Sequence, residues 1–261
     1  MSSVMSWVVP SSILLIAVSV WSLLAFSARR SSLDTAAQRR FHIASGLSLV
    51  GWLGLAFLLG KSGIFQATPS KEFPALATAL ALLTTIGMWL LYRSSTLKAV
   101  VAVIPLPWLV GVQLYRVVGL IFLALYGLGL MPGEFAIPAG WGDLAVGLAA
   151  PVIGYMLYKG YRGSCLAALS WNVVGILDLV VAVATGFLSS PGPFQTMALE
   201  NPNVPISAFP VVLIPLYAVP MSILLHLAAL SRLKIAVHTS AGTGFACGTH
   251  SQQWVSHRAV S

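Results

Sequence analysis

Four side chains able to carry charge or a proton stand inside long apolar stretches of this sequence: Arg116, Asp143, Asp178 and His226. A central charge in hydrocarbon costs about 2.5–3.5 kcal/mol on insertion scales, so such residues face a protein interior and take partners. One guanidinium against two carboxylates makes a buried clamp, but it leaves a net charge of −1 in a dry core. A proton on one aspartate, water, a bound cation or a substrate would relieve that surplus. Two chemistries follow: proton carriage coupled to a small solute, and general acid catalysis by a protonated aspartate on a lipid-like substrate, as in a cyclase or isomerase. A third reading is an assembly subunit whose charges only fix helix register. Gln113, three residues before Arg116, and Asn172, six before Asp178, complete the candidate solute- or proton-binding set.

Spacing supports burial of both aspartates. Gly140, Asp143, Gly147, Ala150 and Gly154 recur every three or four residues, which is one face of a helix. Trp171, Gly175, Asp178, Ala182 and Thr185 do the same. Small residues let transmembrane backbones approach closely, so both stripes are expected to face other helices. Gln113 and Gly119 flank Arg116 and offer it a polar neighbour and room. Counting upward from the inner boundary at 1.5 Å per residue places Arg116 at ~15 Å, Asp178 at ~20 Å and Asp143 at ~22 Å. His226 falls a turn or two from the cytosolic end and one turn beyond Ser222; a packed or interfacial role is the plainer one, beside a proton relay.

The elements that must hold these residues follow from composition. Of 261 residues, 58% are hydrophobic and only 8% charged, against roughly 25% charged in a soluble domain. That excludes a water-soluble globule, a disordered chain, a disulfide scaffold and a nucleic-acid binder. Apolar stretches able to cross a bilayer of ~30 Å cover residues 7–26, 41–60, 73–92, 106–130, 138–158, 165–187 and 209–230. The expected class is all-α, a seven-span membrane helix bundle over residues 1–234 with a flexible cytosolic tail at 235–261. Pro105 and Pro107 interrupt the long run at 99–130. Since proline disfavours helix through the residue before it, 99–103 is expected as a short interfacial piece and the span as starting at Pro105-Leu106-Pro107-Trp108.

Charges between the spans set orientation. Arg29, Arg30, Arg39, Arg40, Arg93, Lys98, Lys159, Arg162, Arg232, Lys234 and Arg258 fall on one side, and only Lys61 and Lys71 on the other. This positive-inside pattern places the N-terminus outside and the C-terminus in the cytosol, as for a bacterial inner-membrane protein. No basic residue precedes the first apolar run, which therefore reads as a span rather than a signal peptide. The expected partners are the lipid bilayer and an unidentified small molecule; the sequence leaves oligomeric state open.

Pro205, Pro210, Pro215 and Pro220 recur every five residues around the last span. A straight helix is not expected there, and the carbonyls that proline leaves unbonded need other donors. Broken helices of this kind line substrate sites in secondary transporters. Residues 131–140 read as a compact outer turn that puts Asp143 just inside an outer mouth, with 189–208 as its cover. In the tail, His238, Cys247, His250 and His257 lack the spacing of a three- or four-ligand site, so no metal or cofactor is expected. Cys165 and Cys247 are not expected to form a structural disulfide.

The string Gln113-Leu114-Tyr115-Arg116-Val117-Val118-Gly119, the Pro132-Gly133 pair and the run from Phe135 to Asp143 resemble a loose group of bacterial integral membrane proteins. Ile214-Pro215, Val219-Pro220 and Leu225-His226 are similar too, so the resemblance covers about 99–230. It implies no fold, substrate or catalytic residue. Other families are excluded: no lysine stands deep in the last span for a retinal, and deep histidines are too few for a haem or di-iron oxidase. There is no phosphate-binding loop and no Gly-x-Ser-x-Gly string.

Overall fold

A computed structural model of the chain describes residues 3–70 and 74–240, with side chains within 5–70 and 74–233. Among these residues all regular structure is helical: α1 (Ser3–Ala28), α2 (Thr35–Lys61), α3 (Ala75–Arg93), α4 (Ser95–Val103), α5 (Leu106–Gly111), α6 (Leu120–Gly127), α7 (Gly133–Lys159), α8 (Ser164–Ser189) and α9 (Val219–Ser240). A 3-10 stretch, Val112–Gly119, joins α5 to α6, and a π-helical turn, Ile214–Ala218, leads into α9. Seven helices or continuous helical runs are long and apolar enough to cross a membrane, and each coincides with a stretch expected from sequence. The short piece before the fourth span is α4, capped by Ser94, whose Oγ accepts from the Leu97 N–H at 3.2 Å.

The ends differ from expectation where caps, not hydropathy, decide them. Asp34 accepts from the Ala37 N–H at 2.6 Å and starts α2 at Thr35, so Arg39 and Arg40 ride on the helix rather than in a loop. Residues 131–140 are not a compact turn: α7 begins at Gly133 and runs through Pro138 and Pro151. The tail beyond 240 lies outside the described residues. Cys247, and with it the expectation that Cys165 and Cys247 form no structural disulfide, lies outside the described residues.

The last span is broken, as its prolines require. The carbonyl that Pro220 leaves without an intrahelical donor is that of Leu216, and Trp52 Nε1 of α2 donates to it at 2.9 Å. This run is also the most buried of the seven, while α2 and α3 are peripheral. The Ala67 N–H donates to Ser207 Oγ at 2.9 Å and ties two loops at one end of the bundle. At the other, arginine-rich end, Phe26 stacks on Trp108 with centroids 5.1 Å apart.

Candidate functional site

The 3-10 stretch carries Arg116 into the heart of the bundle, where its side chain is 1% exposed. It lies against α7, whose Gly147 allows the approach: a Cβ there would sit 2.9 Å from the Val117 backbone nitrogen. Gly140, Gly147, Ala150 and Gly154 are all buried, so the small-residue stripe faces another helix as expected, and that neighbour is the fourth span. A 3-10 helix rises ~2.0 Å per residue instead of 1.5 Å, which lengthens this span and shifts depths counted on an ideal α-helix.

All five guanidinium N–H groups have acceptors. Nε and Nη2 reach Asp143 Oδ1 at 2.8 and 2.7 Å, and Nη2 also pairs with Asp178 Oδ2. Nη1 donates to the Gly175 carbonyl at 3.2 Å and lies 3.2 Å from His226 Nε2. A guanidinium only donates, so that nitrogen must present its lone pair. His226 then carries its proton on Nδ1, which faces Asn172 Oδ1 at 2.9 Å, while Asn172 Nδ2 donates to the Ala168 carbonyl at 2.7 Å. Trp171 packs on the imidazole with centroids 5.0 Å apart. Four spans thus converge on one cation: the fourth with Arg116, the fifth with Asp143, the sixth with Asn172 and Asp178, and the last with His226.

Five of the six candidates meet here, and one of them, Asp143, stands further inside its helix than expected. Asp143 is not at a mouth: because α7 starts at Gly133, it lies about 15 Å along the helix at 1.5 Å per residue, beside the same guanidinium as Asp178. His226 stands about two turns before Leu233, where the last membrane-capable run ends, as expected, although α9 itself continues to Ser240. Gln113 stays apart. Its side chain is fully buried and neither amide atom has a hydrogen-bond partner among the described residues.

Next to this centre lies a cavity of about 120 Å³. Its lining includes Asp143 and is otherwise mostly apolar, with Leu76 and Leu80 of α3, Leu179 and Ala182 of α8, Phe122 and Phe135. The 191–194 segment and Ile206–Ser207 line it, so part of the loop expected as a cover borders the cavity. Asp143 binds Arg116 through Oδ1, and Oδ2 has no donor among the described residues.

Residues 73–234 match a domain of unknown function, DUF8737. The chain belongs to the DUF8737 family. No curated protein and no solved structure matches it. The DUF8737 segment spans α3 to α9, so Arg116, Asp143, Asn172, Asp178 and His226 all fall within it, while α1 and α2 precede it.

Sequence reasoning missed several residues of this DUF8737 site. Tyr115 Oη and Ser222 Oγ are 2.8 Å apart and brace the 3-10 stretch against α9. Gly142 makes room for the Asp178 carboxylate, into which a Cβ would run. It is off the Gly140–Gly154 stripe because α7 is covered on a second face by α8. A second small residue beside an aspartate was the available signal.

Proposed function

We propose that the protein is a bacterial inner-membrane protein, N-terminus outside and C-terminus in the cytosol, that binds a small solute at the Arg116–Asp143–Asp178 centre. It moves the solute across the bilayer, with proton exchange at the carboxylates as the coupling. One observation carries this reading: two carboxylates share one guanidinium whose donors are all used, and one of them, Asp143, lines a cavity. The centre has an uncompensated negative charge and nothing left to hold an anion, which leaves a proton or a cationic group as its complement. A second reading, a membrane-embedded cyclase or isomerase with Asp143 as general acid, is favoured by the apolar lining, which suits a lipid-like substrate.

Reconstituted vesicles separate these. Solute flux without chemical change supports transport, and a changed product without a gradient supports catalysis. In either case Asp143→Asn and Asp178→Asn are expected to abolish activity while the protein still folds and inserts. Failure of either variant to accumulate would leave the cluster as a structural clamp.

A further inference from the structure

We propose that the cavity above Asp143 binds a single-chain amphiphile with an ammonium head, taken from the bilayer between α3 and α8. The proposal rests on the reading of the Arg–Asp centre given above and names its ligand class.

Charge comes first. Arg116 has no free donor for a phosphate or carboxylate, whereas Asp143 Oδ2 has no donor among the described residues and belongs to a carboxylate lining the cavity. An ammonium there completes a set of two cations and two carboxylates. A neutral hydroxyl would donate one hydrogen bond but leave the surplus charge in place.

The walls select the rest of the molecule. One water needs ~10–15 Å³ of such room, so the 120 Å³ available admits a chain segment and not only a solvent molecule. Ala75, Leu76, Ala77 and Leu80 of α3 face Leu179, Ala182, Val183 and Phe187 of α8 across it. The main packing partners of α3 are α4 and the last span, and those of α8 are α7 and α9. The two helices therefore meet across the cavity, on the side where both present apolar residues. A hydrated ion would shed its water along such walls with no polar replacement until it reached Asp143. An alkyl chain replaces lipid contacts with equivalent protein contacts and carries its head to the carboxylate.

The test uses the full chain in phosphatidylcholine nanodiscs, with dodecylammonium binding measured above that of empty discs. Saturable binding at one site per protein is expected, with dodecanol and methylammonium each about tenfold weaker or more, since each lacks half of the complementarity. Ala182→Phe fills the cavity and should weaken dodecylammonium to a similar degree, as should Val183→Trp. Val180→Phe, on the exposed face of the same helix, should leave it unchanged. Unaltered binding in both cavity-filling variants overturns the proposal, and so does dodecanol binding as tightly as dodecylammonium. Methylammonium binding that needs Asp143 but ignores Ala182→Phe would refute the amphiphile while sparing the polar centre. Absence of any Asp143-dependent binding or proton release refutes both.

Discussion

Removing the arginine and neutralising one aspartate are expected to have very unequal effects on stability. Both carboxylates touch Arg116 Nη2. Their nearest oxygens are therefore no more than ~5 Å apart, and at an effective dielectric constant of ~20 they repel by ~3 kcal/mol. Asp143→Asn removes that repulsion. It also weakens the two bonds that Oδ1 accepts, at 2.8 and 2.7 Å, each worth about 1.5–3 kcal/mol when charged groups are involved. An amide oxygen still accepts one of them, so gain and loss nearly offset, leaving the variant within about 2 kcal/mol of the parent. Arg116→Leu instead strands both carboxylates and His226 Nε2 without the donor they share, a change of about 3–5 kcal/mol or more. Thermal unfolding in bicelles, followed by the fluorescence of the eight tryptophans, reads the difference. At roughly 2–4 °C per kcal/mol for a chain of this size, Arg116→Leu should lower the midpoint by roughly 6–20 °C, and Asp143→Asn should shift it by no more than roughly 4–8 °C. Equal losses in the two variants would refute the reasoning, because they would mean that each carboxylate is held as a separate ion pair with no surplus charge between them.

Three further outcomes are expected. Gly142→Val should displace the Asp178 carboxylate and lower the unfolding midpoint sharply, whereas Gly111→Ala, with nothing within 4 Å of the added methyl, should be neutral or stabilising by up to ~1 kcal/mol. His226→Phe leaves Asn172 Oδ1 and one Arg116 N–H unpaired and should cost about 1–3 kcal/mol, part of which Asn172→Leu in the same chain restores; an additive double variant would argue against the shared network. In right-side-out cells, a membrane-impermeant maleimide should label Ser62→Cys and spare Ser31→Cys, and the reverse result would invert the topology.

The spans were legible because transfer into hydrocarbon is a local property, summed residue by residue along 20 or so positions. The identities of the central residues were legible for the same reason: Arg116, Asp143 and Asp178 cost too much in lipid to lack partners. Their meeting was not, because depth and rotation depend on where each helix starts. Pro138 looked like a helix boundary, yet it lies in the second turn of α7, where its missing N–H frees only the Glu134 carbonyl near the helix end. The 3-10 stretch has no proline to announce it, so the extra rise beneath Arg116 was invisible. Trp52 and Leu216 are 164 residues apart, and the Leu216 carbonyl needs a donor only once Pro220 is in place. No periodicity within either segment encodes that bond.

The order in which the partners of Arg116 are synthesised has a consequence for biogenesis. Asp143 follows by 27 residues, Asp178 by 62 and His226 by 110. At ~5–20 residues per second, the arginine waits about 1–5 s for its first carboxylate and several times longer for the last member of the cluster. On the proposed membrane placement, the fourth span presents an uncompensated cation to the insertion machinery, and its favourable route into lipid is as a hairpin with α7. A ribosome stalled with α6 emerged but α7 still enclosed should leave the fourth span poorly inserted, and release of α7 should bring both in together.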